Sequence, residues 1–391
     1  MIELIVFGRL ISDYLWDYKA LSVAHSILSV LLAIFVLVNL KKSSVKICNT
    51  DRIFLVFIAF AIIALAKNPT DDSIIIFLKT ATYLSIYFAG RIIPPNMAKA
   101  KLLGACALVL LACLAIYALS GKGYETRGSV STFTGGYFFK TDLAISALIL
   151  LAIAFTTLTN KLLLTLSLIF SAFLIFKSNA RIALPLVLIL PAISIMIPRG
   201  NLTKISFKAI ASSLLFIIIG MALFTLIDFQ ALGMLGFDFS DPYSASNTQG
   251  RSVIWGAILQ AYSDASIVDK FTGMGFDADT IATAGFTGSE NIEGLRAHNS
   301  YLYLLICMGI FGSLSFYSLL YSAFSKIHFI ITQKNKNSTR IATLSTSLLI
   351  IFIWLSMTTE IVIRPQLMVP LFFFTGLHVQ LYLKHKKIYK D

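Results

Sequence analysis

The sequence predicts an all-α protein, built as a polytopic bundle of about twelve transmembrane helices. Of its 391 residues, 57% are hydrophobic and only 13% are charged, whereas soluble domains carry about a quarter charged residues. Apolar runs of the length that crosses a bilayer, about 20 residues, also recur from one end of the chain to the other. A water-soluble enzyme is therefore excluded.

The predicted spans follow these apolar runs in order. The first candidate, Met1–Trp16, is the weakest because it contains Glu3, Arg9 and Asp13. It lacks the basic start and clean apolar middle of a signal peptide, so we interpret it as a tilted first span, with an interfacial helix and eleven spans as the alternative. The other predicted spans are Ala20–Leu40, Arg52–Ala66, Ser73–Ile92, Leu102–Leu119, Leu143–Thr159, Leu162–Phe176, Ile182–Ile197, Ile205–Ile227, Ser300–Phe324, Ile341–Met357 and Pro365–Leu383.

Basic residues predict the orientation of these spans. Lys and Arg concentrate in alternate loops, and such loops face the cytoplasm, so both termini are expected there. The opposite side carries one long insertion, Phe229–Ala297, which we expect to be a periplasmic loop of short helices. The predicted organisation is thus a membrane part with nine spans (1–228), the periplasmic loop (229–297), and the last three spans with a cytoplasmic tail (298–391).

The formal net charge of +13 reports topology in a chain of this kind, since no soluble basic domain could form a nucleic-acid site. The four cysteines include no CxxC pair or Cys/His cluster, which excludes a disulfide framework and a zinc site. Asp277 and Asp279 form a D-x-D that is a weak alternative for metal binding, because hard cations need several oxygen ligands. We expect no metal.

Basic residues stand at four predicted helix starts on the outer side. A helix N-terminus presents free N–H groups and partial positive charge, which favour anions, and a guanidinium grips phosphate in bidentate fashion. The sequence thus predicts a site for an anionic lipid head-group. These groups are Arg181 behind the possible caps Ser178 and Asn179, Arg251 at the start of an amphipathic helix Arg251–Tyr262, Arg296 and His298 before the possible caps Asn299 and Ser300, and Arg364 before Pro365.

Structural roles for the same arginines remain open at this stage. Arg181 could form an ion pair with Asp142, and Arg364 could pair with Glu360. Arg251 could be solvated on the surface of the loop helix.

These residues resemble a known family. His298-Asn299, nine further residues and Gly309-Ile310-Phe311-Gly312 look like the H-[NSQ]-x9-G-x-x-[GTY] signature of bacterial O-antigen ligases. The stretches Thr134–Phe139, Ser178–Pro185 and Gly250–Trp255 agree in order with further elements of that family. So do the long loop before the histidine and the three closing spans with Glu360 and Arg364. The resemblance covers most of the chain and is strongest in its second half.

The resemblance implies a GT-C-like membrane glycosyltransferase of the Gram-negative inner membrane with its active site facing the periplasm. Such enzymes need no cofactor or metal and move a glycan from undecaprenyl diphosphate to the lipid A–core oligosaccharide. Carried over by motif, Arg181 and Arg251 would hold the diphosphate and His298 would act on the acceptor hydroxyl. Arg364 has weaker support as a diphosphate ligand. The secondary candidates are Asn299, Arg296 and Arg127, and Gly309 and Gly312 would serve helix packing.

General chemistry agrees with that reaction. A polyprenyl diphosphate donor carries its own leaving group, so the protein must supply positive charge for the departing diphosphate and a base for the acceptor hydroxyl, for which histidine is suited near neutral pH. Direct attack would invert the anomeric centre. Two alternatives stay open: a polymerase that joins lipid-linked repeat units, disfavoured by the acidic insertion, and a transporter of lipid-linked sugars, for which paired broken helices are not evident.

Overall fold

The computed structural model describes residues 47–93, 100–127, 130–198, 251–284, 294–332 and 335–388, with Leu10, Leu31, Phe35 and Val38. It is mainly helical, and seven of its helices are long and apolar enough to cross a membrane. The predicted class, an all-α multi-pass membrane protein, is confirmed. The helices are α1 (Asn49–Lys67), α2 (Asp71–Ile92), α3 (Ala100–Leu119), α4 (Lys140–Thr157), α5 (Lys161–Lys177), α6 (Leu184–Met196), α7 (Arg251–Asp264), α8 (Ile267–Thr272), α9 (Ala278–Thr283), α10 (Ser300–Phe324), α11 (Ile327–Thr332), α12 (Lys336–Leu355) and α13 (Pro365–Ile388), with short 3-10 helices at Arg181–Ala183 and Ile361–Ile363.

Each predicted span that lies within the described part of the chain corresponds to a helix. The predicted spans Met1–Trp16, Ala20–Leu40 and Ile205–Ile227 lie outside the described residues, apart from isolated positions. Two of the helices that match predicted spans, α5 with 17 residues and α6 with 13, are shorter than the seven. The total of twelve spans therefore stays a prediction.

The helix ends gather at two faces of the bundle. At one face, which we call the site end, α4, α10 and α13 begin and α12 ends; here the Arg364 guanidinium lies 3.2 Å from the Asp142 carboxylate. At the opposite face, the basic end, α1 begins, α2 ends and α10 ends. Asp51 is the one acidic residue that the described part of the chain places at the basic end.

Helices α4 and α13 form the centre of the bundle. Every residue of α4 from Asp142 to Ala154 is buried. Helix α13 packs closely against α2 at two glycines. An added Cβ at Gly90 would collide with the Phe373 carbonyl, and one at Gly376 would collide with the Tyr87 carbonyl. Small residues at helix contacts allow this approach in membranes.

A short hairpin at the site end departs from the all-helical prediction. Strand β1 (Tyr124–Arg127) pairs antiparallel with β2 (Val130–Phe133), so that Tyr124 lies opposite Phe133. The Phe133 ring is buried, with its centroid 5.2 Å from that of Tyr124 and 6.2 Å from that of Tyr117. The hairpin is thereby packed onto the end of α3.

Helices α7, α8 and α9, which we call the cap, are the described part of the long insertion. The predicted amphipathic helix Arg251–Tyr262 is confirmed as α7. Its buried face contains Ile254, Ala257 and Ile258, whereas Val253, predicted on that face, is exposed.

A short irregular segment, Gly273–Phe276, joins the cap to the bundle. The Met274 N–H donates to the Ile306 carbonyl (2.8 Å) and the Gly275 N–H donates to the Cys307 carbonyl (3.1 Å). These carbonyls can accept because α10 is interrupted at Gly309, whose φ of +66° is left-handed. A second anchor is the hydrogen bond from the Phe276 N–H to the Ala64 carbonyl at the end of α1 (3.2 Å).

The basic end contains a buried polar cluster. The Arg91 guanidinium is fully buried and forms an ion pair with Asp51, and the Tyr87 hydroxyl donates to the same carboxylate (2.6 Å). A buried charge persists only when it is paired and hydrogen-bonded. The cluster therefore joins the start of α1 to the end of α2.

Candidate functional site

The segment before α10 is attached firmly to the turn that follows α12. The side chain of Asn299 caps α10, since its Oδ1 accepts the N–H groups of Tyr301 (2.9 Å) and Leu302 (3.1 Å), while its Nδ2 donates to the Met357 carbonyl (3.1 Å). Of the two caps that the sequence allows, Asn299 is the one used. Asn299 thus has a structural task.

Ser300 completes this attachment. Its N–H donates to the Ser356 carbonyl (2.7 Å) and its hydroxyl donates to the Thr359 carbonyl (2.9 Å). The two segments therefore behave as one unit at the site end.

Glu360 faces His298 across this junction. One carboxylate oxygen of Glu360 accepts the backbone N–H of His298, and the other lies 3.7 Å from the imidazole Nδ1. The glutamate side chain is 3% exposed and the histidine side chain 45% exposed. The arrangement places a buried carboxylate behind an accessible imidazole.

The backbone around the site is unusual. Among the described residues, the non-glycine residues with positive φ are Asn179 (+54°), Asp277 (+69°) and His298 (+48°). Left-handed backbone costs energy for residues with a Cβ, and it concentrates at functional sites. All three residues lie on segments for which sequence alone predicts a site.

Arg296 is held by carboxylates of the cap. Its guanidinium forms an ion pair with Asp277 and lies 3.5 Å from Asp279, whose other oxygen accepts the Ala297 N–H (3.0 Å). The Asp277/Asp279 pair, predicted as a weak metal-binding alternative, therefore contacts a guanidinium. The described residues contain no cluster of three or more metal-ligating side chains.

For Asp279 and for Arg296, burial and the neighbouring charges change the pKa in opposite directions. Burial raises the pKa of the Asp279 carboxyl to about 6, although Arg296 and the Ala297 N–H oppose the rise. For Arg296, burial favours the neutral form but the Asp279 and Asp277 carboxylates outweigh it, and the pKa is raised. The guanidinium thus stays charged.

Arg251 lies next to the same junction, at the start of α7. The Trp255 indole N–H donates to the Ala297 carbonyl (2.9 Å), which fixes α7 against the segment that carries His298. Burial lowers the pKa of the Arg251 guanidinium, and the Glu360 carboxylate acts against that change. The Arg251 side chain is half-buried and lies within electrostatic reach of Glu360, so it is not a fully solvated residue of the loop helix.

Arg181 opens the 3-10 helix before α6. Its Nε donates to the Asn179 side-chain oxygen (3.0 Å). Asn179 has left-handed backbone and so does not cap α6 as the sequence suggested. The Trp354 indole N–H donates to the Ile182 carbonyl (2.6 Å), which brings the Arg181 turn beside the turn that carries Glu360.

Arg364 pairs with Asp142 rather than with Glu360, the structural partner that the sequence left open. The two side chains are 3.2 Å apart, and the guanidinium lies over the Phe139 ring, 5.2 Å from its centroid. Pro365 begins α13 as predicted. The pair fixes the start of α13 to the start of α4.

The remaining candidates have mixed placements. Arg127 ends β1 at the turn of the hairpin, and its side chain lies outside the described part of the structure. At Gly312 an added Cβ would approach the Phe60 side chain of α1 to 3.4 Å. Gly309 and Gly312 thus both lie at close contacts of α10.

No family model matches the chain, and no curated protein matches it. The functional interpretation therefore depends on the geometry of the site end.

Sequence reasoning underestimated Glu360 and Asp279. Glu360 lies four residues before Arg364, and from sequence it was considered only as a possible ion-pair partner of that arginine. Its contact with His298 spans 62 residues, and one sequence without relatives carries no signal for such a contact. For Asp279 a signal existed: it lies in the same polar loop as Arg296, and a buried carboxylate needs a cation.

Proposed function

We propose that the chain is a membrane glycosyltransferase of the O-antigen ligase type, with a GT-C-like fold of about twelve spans. It moves a glycan from undecaprenyl diphosphate to the lipid A–core oligosaccharide and uses neither metal nor cofactor. The observation that carries the proposal is the junction at the site end, where the accessible His298 lies against buried Glu360, whose carboxylate also interacts with Arg251.

In the proposed reaction, an acceptor hydroxyl oxygen attacks the anomeric carbon of the donor. The bond from that carbon to the diphosphate oxygen breaks, and undecaprenyl diphosphate departs with the electron pair. His298 takes the hydroxyl proton, while Arg251 and Arg181 stabilise the charge that grows on the diphosphate. A single displacement of this kind inverts the anomeric centre.

Charge supports a location of the site on the periplasmic side of the inner membrane. The basic end carries cations such as Lys161, Lys336 and Arg340, whereas the described acidic residues other than Asp51 belong to the site end and the cap. Cytoplasmic loops are the basic ones in membrane proteins. A periplasmic site also explains why the donor must carry its own leaving group.

The proposal is tested with purified full-length protein, an undecaprenyl-diphosphate-linked glycan and lipid A–core, with and without a chelator. We expect transfer that resists the chelator, and a loss of about 10²–10⁴-fold in His298→Ala with unchanged thermal unfolding. Asp71→Asn, an exposed change at the same end, is the control and should transfer normally. Full activity in well-folded His298→Ala protein would contradict the proposed mechanism, and repeat units joined without lipid A–core would indicate a polymerase instead.

A further inference from the structure

Glu360 is a carboxylate in a buried position, where its charge is costly in free energy. Its carboxylate is 3% exposed and lies in the turn between α12 and the 3-10 helix Ile361–Ile363. Burying a carboxylate costs several kcal/mol unless charge and hydrogen bonds compensate. The compensation here comes from the His298 N–H and from the positive charge of Arg251.

The two carboxylate oxygens perform different tasks. One accepts the His298 N–H and so supports the left-handed backbone (φ +48°) of that residue. The other faces Nδ1 at 3.7 Å, which is within ion-pair distance but longer than a hydrogen bond. Because a neutral imidazole carries one N–H, a carboxylate beside Nδ1 favours the proton on that nitrogen. Nε2 is then a free acceptor.

We propose that Glu360 is the positioning residue of the reaction: it sets the tautomer of His298 so that Nε2 takes the acceptor proton, and it stabilises the imidazolium that results. This inference rests on the proposed function. When the proton arrives at Nε2, the positive charge forms beside a carboxylate that is already in place.

Charges on neighbouring elements set the balance around His298. From α7, Arg251 approaches the same carboxylate; from α9, Asp279 lies close enough to interact with Glu360; and Arg296 stands two residues before the histidine. Glu360 therefore links the base to an arginine proposed for the diphosphate.

Glu360→Gln separates charge from shape. The amide oxygen can still accept the His298 N–H, but the amide N–H₂ then faces Nδ1 and favours the proton on Nε2, the wrong tautomer. In the Ser-His-Asp triad of serine proteases, where a carboxylate orients the histidine in a chemically analogous way, replacing the Asp by Asn lowers kcat by about 10⁴-fold. For E360Q we expect kcat for glycan transfer to fall at least 100-fold, with binding of undecaprenyl diphosphate and the thermal unfolding temperature unchanged.

Three further measurements identify the route of the effect. In a His298→Ala background, E360Q should cause no additional loss, because Glu360 acts through the histidine. Glu360→Asp should retain more activity than E360Q, because Asp keeps the negative charge although its side chain is shorter. The acid limb of the pH–rate profile should lie at lower pH in E360Q than in wild type, because the negative charge beside the base is gone. Asp71→Asn is the matched carboxyl-to-amide control.

The outcomes are distinguishable. If the wild-type protein transfers glycan and E360Q does so at the same rate with the same pH profile, the role of Glu360 is overturned and the proposed function stands. An equal loss from E360Q with and without His298 also overturns it. If E360Q does not fold, the cycle is run with Glu360→Asp under the same criterion. If the wild-type protein transfers nothing, the proposed function fails and the inference with it.

Discussion

Gly273 and Gly309 meet backbone against backbone where α10 is interrupted. An added Cβ at Gly309 would collide with the Gly273 nitrogen, and one at Gly273 with the Cys307 carbonyl. Both residues have positive φ, +83° and +66°. The cap is thus locked onto the helix that begins two residues after His298, and the contact tolerates no side chain on either partner.

Gly309→Ala should therefore destabilise the protein and lower transfer together. The left-handed backbone alone disfavours a Cβ by about 1 kcal/mol, and the collision adds to that cost. Thermal unfolding in detergent measures the effect. The control is Gly256→Ala in α7, where an added Cβ meets nothing within 4 Å; it should be neutral or stabilise by roughly 0.5–1 kcal/mol. Equal behaviour of the two variants would contradict the packing role.

Arg251→Ala should reduce transfer by about 10²–10³-fold, the usual cost of removing a charge-stabilising donor. Arg251→Lys should recover part of the loss, because an ammonium carries the charge without the bidentate fork. Rates with purified protein and the affinity for undecaprenyl diphosphate are the measurements. Arg52→Lys, an exposed change at the basic end, serves as control; a similar loss there would show that the effect is not specific to the site.

Asp279 predicts a pH-dependent stability. Its pKa in the folded state is raised to about 6 by burial, whereas an unfolded aspartate titrates near about 3.9. Between these values the folded state binds more protons, so the carboxyl lowers stability above pH 6 by up to about 3 kcal/mol. This cost is relieved as pH falls through 6 towards 4.

Asp279→Asn does not titrate, so the unfolding temperature of wild type relative to this variant should rise between pH 7.5 and pH 5. Thermal unfolding of both proteins at the two pH values measures the difference. A difference that is the same at both pH values would contradict the assignment. Asp71→Asn should show no such change.

The buried pair of Asp51 and Arg91 predicts a large loss of stability on single replacement. Arg91→Met leaves Asp51 buried without its partner, which costs about 3–5 kcal/mol, whereas the double variant with Asp51→Asn should recover most of it. Thermal unfolding of the three proteins gives the coupling energy. Arg52→Met, on the exposed side of the same helix, should have little effect. Additive losses in the double variant would show that the pair does not act as a unit.

Apolar runs predict helices well because burial and bilayer contact depend on composition, and Ser300–Phe324 matches α10 at both ends. Apolar runs do not predict the polar ends of helices. Helix α1 begins at Asn49, three residues before the predicted span, because Cys48 and Asp51 form a capping box there.

The hairpin could have been predicted from Gly128-Ser129, a residue pair typical of tight turns that stands between two short runs. The surrounding residues are polar, so the two runs do not stand out as strands.

The candidate site was predictable as a set of segments but not as a set of contacts. Helix starts with basic residues marked Arg181, Arg251 and His298, since capping and charge are local properties. Pairing is not local. Arg364 forms an ion pair with Asp142, and not with Glu360, which is nearer in sequence, because the fold brings the starts of α4 and α13 together. Glu360 is then available to contact His298.

The Asp51–Arg91 pair also bears on how the charge of the basic end is counted. From sequence alone, Arg91 counts among the basic residues that favour a cytoplasmic loop. In the folded bundle, Asp51 compensates its charge. Because only residues 68–70 separate α1 from α2, the two partners lie at the open end of one helical hairpin, where their opposite charges compensate each other. The pair therefore holds the two free ends of this hairpin together.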